Sequence, residues 1–586
     1  MLKQLLHNGI LVTQVSLPAH LELTVRGERK ELSPRQIEMA LAWARKLGTP
    51  YVEDSIFVRN FLLDFSTALD ITPPLTIDEV DFGPALEIVQ AERAAKKRLT
   101  REERKALAAQ RKTKREQLKE QYGYAIVDGE RVEIGGYIAE PSGIFMGRGK
   151  HPLRGKWKKG PQQSDVTLNL SPDAPRPPGD WAKIVWQPES LWVARWKDKL
   201  SGKLKYVWLS DTAPVKQERQ AAKFDQAIEL NENLGQVRVH IEQGLTDADA
   251  RRRMVATACY LIDALCLRVG DEKSPDEADT VGATTLRPQH ITLHPDGTAE
   301  FRFLGKDSVL WHKKIPLPPV VRQNLEELIR EARPSNSANN GKRHPTRDEP
   351  QIFPGIGSSH VNAYLGEALP GLTAKVFRTH HATQAVRDSL AASGVEVSDP
   401  EYKKWGAVAQ ANLEAAMLCN HYKTASANWQ DRRQRAKERQ EKRKERVARY
   451  RSQVRQAKEA LTTLRREARE KKTNAKTKAQ RGKVQVRYAK RIERGKKRIE
   501  TARNRLQRAQ AALDKAKTKD TIVARRRTWN LSTSLKSYID PRVFYQWGQQ
   551  VDYDVLECYY PRTLRRQFAW VRLFQKNSHP TMTWDT

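Results

Sequence analysis

Apolar and polar residues alternate along the N-terminal half of this chain in patterns that change from one segment to the next. Ser33 followed by Pro34 predicts the start of an amphipathic helix, with serine as the cap and proline at the first helical position. A Pro-rich break at residues 73–86 precedes a helical pattern over 87–122, whose main part, 92–121, is long and polar. Helices and irregular segments therefore share this region.

The patterning becomes β-like over residues 124–212, where short alternating runs are separated by Gly and Pro turns. Helical periodicity returns over 217–268. A β-hairpin is predicted at 298–312, followed by helices to about Tyr422. This succession of helical and strand-rich segments predicts a multidomain α+β protein.

The clearest periodicity lies in residues 431–517, where two apolar stripes alternate spacings of three and four on either side of a polar break at 473–483. This pattern predicts an antiparallel helical hairpin, although a single long helix or a disordered basic tail would share its composition. The stripes consist of Val447, Tyr450, Val454, Ala457, Leu461, Leu464 and Ala468, and of Tyr488, Ile492, Gly495, Ile499, Ala502, Leu506, Ala509, Leu513 and Ala516.

Composition adds a strong charge bias to this picture. The 586 residues carry a formal net charge of +35, and residues 431–527 contribute +27 of it, from 38 Lys and Arg against 11 Asp and Glu. Concentrated charge of this size indicates a polyanionic partner such as nucleic acid, whereas a solvated cationic surface is the general alternative. No segment approaches the roughly 20 apolar residues of a membrane span, and the four cysteines show no CxxC pairing, so they are expected to be buried thiols in a reducing compartment.

Two cationic residues of the middle region are candidates for chemistry. Arg268 ends a helical stripe that is otherwise apolar, so an inward-facing guanidinium there needs an anion, whether a ligand or a salt bridge to Asp271 or Glu272. Lys306 is predicted at the tip of the 298–312 hairpin, where a lysine is more commonly only solvated. Neither position is decisive by itself.

Three further candidates follow. Arg378 lies near the start of a predicted helix, a location suited to a phosphate but also to an ordinary surface arginine. His421 ends a stripe formed with Leu413 and Met417, where a structural histidine is the common case. Tyr538 lies on the segment that enters a helix capped by Asp540, and a tyrosine hydroxyl, with a pKa of about 10, is a nucleophile only if cations stabilise the developing charge.

The order and the amino-acid sequences of the segments around these residues resemble those of the eukaryotic-type topoisomerase IB family over nearly the whole chain. No single motif is specific enough, but their agreement in order is not expected by chance. The matching segments are GIFMGRGKHP at 143–152, LRVGDEK at 267–273, ADTVG at 278–282, FLGKDS at 303–308, GLTAKVFRT at 371–379, LCNH at 418–421 and YIDPR at 538–542.

The resemblance implies a catalytic set. Tyr538 would attack a DNA phosphate and become joined to the 3′ phosphate, Lys306 would protonate the leaving 5′ oxygen, and the non-bridging oxygens would be held by Arg268, Arg378 and His421. Religation would need no ATP, and the cations would replace a metal, so no cofactor is expected. The remaining residues expected at the DNA are Arg148, Lys150, His151, Asp307, Lys375 and Ser537.

The resemblance also implies an architecture: a DNA clamp with a mixed β/α cap and lower lobe at 1–215, a mostly helical, tyrosine-recombinase-like catalytic core at 216–424, a basic antiparallel coiled-coil linker at 425–524, and a small helical C-terminal domain at 525–586 that carries the tyrosine. The partner would be double-stranded DNA, bound by a monomer mainly through phosphates and therefore with little sequence choice.

Two other functions share part of this pattern. A tyrosine recombinase uses the same Arg, Lys, His and Tyr chemistry but usually has His-x-x-Arg where this chain has Lys375 and Arg378. A non-enzymatic architectural DNA-binding protein would explain the charge but not five ordered catalytic-type residues. The chain begins almost at the family's core, without the long charged segment of nuclear enzymes, which suggests a prokaryotic or viral enzyme or a truncated chain. The expected location is intracellular and DNA-associated: cytoplasm or nucleoid in a prokaryote, nucleus in a eukaryote.

Overall fold

The computed structural model describes residues 1–13, 15–271, 278–332 and 350–574, in two compact units. The first unit is Met1–Phe377 with a segment that begins at Arg566, and the second is Arg378–Arg565. Glu272 and Lys273 of the LRVGDEK segment, and the last residues of the proposed C-terminal domain, lie outside the described ranges. None of the helices in those ranges is long and apolar enough to cross a membrane.

The first part of unit one builds small sheets and four helices. The elements are β1 (Leu5–His7), β2 (Glu22–Val25), β3 (Glu28–Glu31), α1 (Pro34–Ala44), α2 (Ser55–Ala68), β4 (Val80–Asp81), α3 (Gly83–Arg98), α4 (Arg101–Tyr122), β5 (Tyr124–Val127), β6 (Glu130–Glu133), β7 (Gly143–Ile144), β8 (Trp157–Lys158), β9 (Val166–Asn169), β10 (Lys183–Val185), β11 (Trp192–Lys197) and β12 (Leu204–Trp208).

The sheets of this region have the strand orders β1-β5-β6, β3-β2-β4, β7-β8 and β10-β9-β11-β12, and β9 and β10 are the parallel pair among them. One hydrophobic core forms where α1, α2 and α3 pack on β2, and Trp43 stacks on Phe61 in it with ring centroids 4.5 Å apart. A second core joins the β1 and β11 sheets. The β-rich segment predicted for 124–212 is therefore confirmed.

The helical pattern predicted over 87–122 is confirmed, except at a break between two helices. Two helices, α3 and α4, meet at Leu99 and Thr100, because Thr100 caps α4: its hydroxyl accepts from the Glu103 amide at 3.2 Å, and the Glu103 carboxylate accepts from the Thr100 amide at 2.7 Å. This reciprocal pair is a capping box, which starts a new helix. The predicted start of α1 is confirmed, since Pro34 is its first residue and Ser33 its cap.

The rest of unit one is a helical body with one β-hairpin. Its elements are α5 (Pro214–Gly244), α6 (Ala250–Leu265), β13 (Ile291–Leu293), β14 (Thr298–Gly305), β15 (Val309–Pro316), α7 (Pro319–Ala332) and α8 (Ser358–Ala368). The predicted hairpin at 298–312 is confirmed, because β14 pairs with β15 antiparallel, and β13 adds a third strand to it. Helix α9 (Ala374–Ala391) contains the division between the units.

Unit two is helical throughout its described residues. Its elements after α9 are α10 (Glu401–Leu418), α11 (Trp429–Thr473), α12 (Lys478–Arg525), α13 (Leu531–Ser537), α14 (Pro541–Gln550) and α15 (Val555–Cys558). Helix α16 (Arg562–Gln567) contains the second division between the units, and the short α17 (Val571–Phe574) belongs to unit one.

Helices α11 and α12 pack along each other in opposite directions, since Val447 contacts Ala509 and Leu513 while Leu461, further along α11, contacts Ile499, which lies earlier in α12. The apolar stripes thus meet as expected for two paired helices. The break between them is shorter than the predicted 473–483, because α12 begins at Lys478, where the Thr477 hydroxyl accepts from the Gln480 amide.

The expectation of four buried thiols is wrong for one of them. Cys259, Cys266 and Cys419 are buried, but Cys558 is exposed at the end of the short helix α15. Burial raises the pKa of Cys259 well above its usual range. No group of three His, Cys, Asp or Glu side chains suited to a metal occurs within the described ranges.

Candidate active site

Helix α9 carries Arg378 as its fifth residue, near the N-terminus, as predicted. The side chain is 2% exposed, so the alternative of an ordinary surface arginine is wrong. Its Nη2 donates to the Cys419 carbonyl at 2.8 Å, and its guanidinium carbon lies 5.0 Å from the ring centroid of Tyr538. A buried guanidinium held against an aromatic ring is a fixed positive charge, because arginine stays protonated.

The turn that follows α10 positions His421. The helix ends at Leu418, Asn420 adopts a left-handed conformation with φ of 53°, and the His421 amide donates back to the Ala416 carbonyl at 2.8 Å. This is a Schellman-type helix end, for which asparagine is one of the preferred residues. The predicted apolar stripe through Met417 to His421 is therefore wrong: Met417 is exposed, and His421 is beyond the helix, 7% exposed.

Tyr538 lies directly after α13, on the segment that enters α14, as predicted. Its ring centroid is 5.1 Å from that of His421, and the residue is 4% exposed. The chain around it is paired with the histidine turn, since the Asn530 amide donates to the His421 carbonyl at 2.7 Å. Unit two thus brings Arg378, His421 and Tyr538 together although 160 positions separate the first from the last.

Asp540 caps α14 as predicted, by accepting from the Arg542 amide at 2.9 Å. The same carboxylate also forms a buried ion pair with the Arg542 guanidinium, Nη2 to Oδ2 at 2.8 Å, which the sequence did not suggest. A buried carboxylate needs such a partner. The pair fixes the residues immediately after the tyrosine.

Thr383 and Ser534 are two buried hydroxyls of this site that sequence reasoning missed. The Thr383 hydroxyl, on α9, donates to the Tyr538 carbonyl at 3.3 Å and accepts from the Asp540 amide at 3.1 Å. The Ser534 hydroxyl lies 2.7 Å from His421 Nδ1. A signal existed for Ser534, which is one helical turn before Tyr538, but not for Thr383, which is distant in sequence.

Unit one carries Arg268 and Lys306. Arg268 does not end a helical stripe, because α6 ends at Leu265 and Cys266 is left-handed with φ of 55°, so Arg268 is half-buried in the following loop. Lys306 lies in the predicted turn between β14 and β15, where Asp307 has φ of 66°.

The ADTVG segment connects the two cations. The Ala283 amide donates to the Arg268 carbonyl at 2.9 Å, and the Val281 amide donates to the Leu304 carbonyl at 2.8 Å, two residues before Lys306. Glycine is required at both Gly270 and Gly282, because a Cβ on either would lie less than 3 Å from the backbone of the other. The separate motifs around Arg268 and Lys306 therefore form one local structure.

The loop containing Arg148 is anchored on α2. Buried Asn60 donates to the Pro152 and Arg154 carbonyls at 2.8 and 2.7 Å, and Asp64 accepts from the Lys156 ammonium at 2.8 Å. Arg148 forms an ion pair with Asp307, so two of the predicted DNA residues contact each other.

The other predicted DNA residues are also accounted for. Lys150 is exposed, and half-buried His151 packs its ring edge-on against Phe145 at 4.9 Å. Lys375 is exposed on the first turn of α9, while Ser537 is half-buried at the end of α13. Thus Lys150 and Lys375 have side chains that a ligand can reach.

Comparison with known proteins assigns the chain to a family. The family described as "Eukaryotic DNA topoisomerase I, catalytic core" matches residues 212–454, its "DNA binding fragment" matches 2–209, and a "C-terminal topoisomerase domain" matches 510–579.

Individual relatives agree. The chain is 32% identical to DNA topoisomerase 1 of Candidozyma auris over 72% of this chain and 55% of the relative, and 33% identical to DNA topoisomerase 1 beta of Arabidopsis thaliana over 72% and 45%. It is 31% identical to the mitochondrial DNA topoisomerase I of Pan troglodytes over 71% of this chain and 68% of the relative. The chain spans about half the length of the first two relatives. It belongs to the eukaryotic DNA topoisomerase I family.

Proposed function

We propose that the protein is a type IB DNA topoisomerase, which nicks one strand of double-stranded DNA, lets the strand rotate and reseals it. The observation that carries this proposal is the contact of Tyr538 with two basic groups, the Arg378 guanidinium 5.0 Å from its ring and the His421 ring 5.1 Å away. A buried tyrosine used only for packing does not require a buried arginine and a histidine on its ring.

The reaction exchanges one phosphodiester for another. The Tyr538 hydroxyl releases its proton to solvent as its oxygen bonds to the scissile phosphorus. The bond from phosphorus to the 5′ oxygen breaks, and Lys306 supplies the proton that the leaving oxygen takes up. Charge on the non-bridging oxygens is stabilised by Arg378, His421 and Arg268, and preorganised donors of this kind commonly contribute the largest share of such catalysis. Because the 3′-phosphotyrosine ester retains the linkage energy, the 5′ hydroxyl reverses the steps without ATP or metal.

DNA binding is proposed to involve mainly phosphates. Exposed Lys150 and Lys375 supply charge, and Arg148, His151, Asp307 and Ser537 complete the contact surface. Each phosphate neutralised adds about 0.9 to the slope of log affinity against log salt, so binding weakens steeply with salt and varies little with sequence. We propose that the enzyme acts as a monomer.

The four-part organisation belongs to the same proposal: clamp lobe 1–215, catalytic core 216–424, coiled-coil linker 425–524 and tyrosine-bearing domain 525–586. Helices α11 and α12 would contact DNA beyond the nick and slow strand rotation electrostatically, since residues 431–527 carry a net +27. Exposed lysines cluster where the two helices join, as at Lys472 and Lys478.

The main test is relaxation of negatively supercoiled plasmid in EDTA without ATP, alongside capture of covalent protein–DNA adducts by detergent. We expect the wild type to relax DNA and form an adduct, and Tyr538→Phe to bind DNA but do neither. Tyr402→Phe, a half-buried tyrosine on α10, is the matched control and should behave as the wild type. Intact DNA binding without relaxation or adduct by the wild type would contradict the proposal, and activity of Tyr538→Phe would exclude Tyr538 as the nucleophile.

The proposed slowing of strand rotation by α11 and α12 is tested by deleting residues 431–520 and joining the ends with a short Gly-Ser linker. Gln440 on α11 donates to Asp520 on α12 at 2.6 Å, and residue 430 lies ten helical residues, about 15 Å, before Gln440, so the linker must span roughly that distance. We expect faster rotation per nick and a shallower salt dependence. A second variant that keeps the helices but replaces Lys471, Lys472, Lys476 and Lys478 by Gln separates charge from bulk. An unchanged rate of strand rotation and an unchanged salt dependence in the deletion variant would contradict the proposal that the two helices slow rotation.

A further inference from the structure

The Ser534 hydroxyl, which is outside the set of catalytic residues, forms a buried pair with the ring of His421, which belongs to that set. Ser534 Oγ lies 2.7 Å from His421 Nδ1, and the serine is 0% exposed. Ser534 is on α13, one helical turn before Tyr538. The contact therefore joins the element that carries the tyrosine to the turn that carries the histidine.

The chemistry of a buried hydroxyl determines the direction of this hydrogen bond. A serine hydroxyl has one proton to donate, and leaving a buried donor unpaired is costly. Among the hydrogen bonds of the described residues, the one partner of Ser534 Oγ is His421 Nδ1. The serine therefore donates, Nδ1 accepts, and the neutral imidazole carries its proton on Nε2.

Backbone hydrogen bonds fix both members of the pair. The Ser534 carbonyl accepts from the amides of Tyr538 and Ile539, at 2.9 and 3.1 Å. The His421 carbonyl in turn accepts from the Asn530 amide at 2.7 Å, just before α13. Ser534 thus contacts the histidine through its side chain and the tyrosine through its backbone, so the two catalytic groups have a common support.

We infer that Ser534 is a positioning residue, whose hydroxyl holds His421 in the tautomer and ring orientation that present Nε2–H to a non-bridging phosphate oxygen. This inference rests on the proposed function. His421 then acts as a neutral hydrogen-bond donor and not as a base that takes the tyrosine proton, because Nε2 already carries hydrogen. Loss of a partner that orients a metal-bound histidine commonly costs about 10-fold to 100-fold, and we expect a comparable loss for His421.

The test is a double-mutant cycle on the single-turnover rate at which the protein cleaves a nicked oligonucleotide duplex. Ser534→Ala should slow cleavage by about 10-fold to 100-fold. Added to His421→Ala, the same change should have little further effect, because a residue that acts through another is non-additive with it. Ser532→Ala, an exposed serine of the same helix, should cleave at the wild-type rate.

A spectroscopic measurement separates positioning from a general structural effect. In the protein labelled with ¹⁵N-histidine, the signals that disappear in His421→Ala belong to His421, and at pH 8 they should show hydrogen on Nε2. In Ser534→Ala these signals should change toward a mixture of tautomers. An equal loss of rate from Ser534→Ala in both backgrounds, or a wild-type ring with hydrogen on Nδ1, would overturn the inference. Failure of the proposed function would differ, since Tyr538→Phe would then still form the adduct or His421→Ala would cleave normally.

Discussion

Replacing Thr383 by valine is the sharpest test of how the proposed nucleophile, Tyr538, is held. The substitution nearly conserves volume but removes a hydroxyl that is 0% exposed. That hydroxyl accepts from the Asp540 amide at 3.1 Å and donates to the Tyr538 carbonyl at 3.3 Å. Valine would leave a buried N–H and a buried C=O without this partner on the segment that follows the tyrosine.

The magnitude follows from those two bonds. A buried polar group left unpaired costs about 1–3 kcal/mol, and the two long bonds here suggest the lower part of that range for each. The sum is about 2–4 kcal/mol, which corresponds to roughly 30-fold to 700-fold more frequent local opening, at about 1.4 kcal/mol per tenfold. Because small displacements of a nucleophile can cost about 100-fold in rate, cleavage should slow at least tenfold.

Hydrogen–deuterium exchange of peptides that cover residues 534–545 measures this opening directly, and single-turnover cleavage measures its effect on the chemistry. Thr462→Val is the matched control, because the Thr462 hydroxyl donates to the Lys458 carbonyl on the exposed surface of α11, where its loss should matter little. Exchange in Thr383→Val within about threefold of the wild type, with normal cleavage, would refute the reasoning; about threefold corresponds to less than 1 kcal/mol.

Two further predictions follow from other parts of the structure. Burial lowers the pKa of His7 to about 4, so between pH 6.5 and 4 only the unfolded chain gains this proton. The free energy of unfolding should therefore decrease as the pH is lowered through this range, by up to about 1.4 kcal/mol per pH unit. His7→Gln should remove this part of the slope in urea unfolding, exposed His20→Gln should not, and an unchanged slope in His7→Gln would contradict the assignment. In Gly155→Ala a Cβ would overlap the Phe57 carbonyl at a residue whose φ is +85°, and this would displace the loop that contains Arg148. DNA binding, measured by fluorescence anisotropy, should weaken by about tenfold, which is roughly the loss of one charge-assisted contact. Gly136→Ala, where a Cβ has open space, is the control, and equal affinity in both variants would show that the seating is dispensable.

Local sequence signals predicted what depends on neighbours along the chain. The caps at Ser33 and Asp540, the hairpin that carries Lys306 and the stripes of α11 and α12 all follow from spacing and turn chemistry. The division between α3 and α4 within the predicted helical pattern is also local, because Thr100 and Glu103 form a capping box.

Other features depend on contacts between distant segments and could not be predicted. Periodicity extended α6 to Arg268 and α10 to His421, whereas Cys266 and Asn420 end these helices with left-handed residues. The support of Tyr538 by Thr383 joins positions 155 residues apart. The periodicity of a single sequence predicts which residues are buried. It does not predict which residues of distant helices they contact.

On the proposed function, the near-complete burial of Tyr538 bears on how a transient break in DNA could become permanent. A strand held as a phosphotyrosine ester is exposed to a competing reaction, since water can attack the phosphorus instead of the 5′ hydroxyl and leave a break that the enzyme cannot reseal. Attack that expels the tyrosine comes from the face opposite its oxygen, so the burial of Tyr538, which is 4% exposed, confines water and the 5′ hydroxyl to the same approach. On the proposed function, the packing that buries Tyr538 would thus make the outcome of each nick depend on whether the 5′ hydroxyl or water occupies that face.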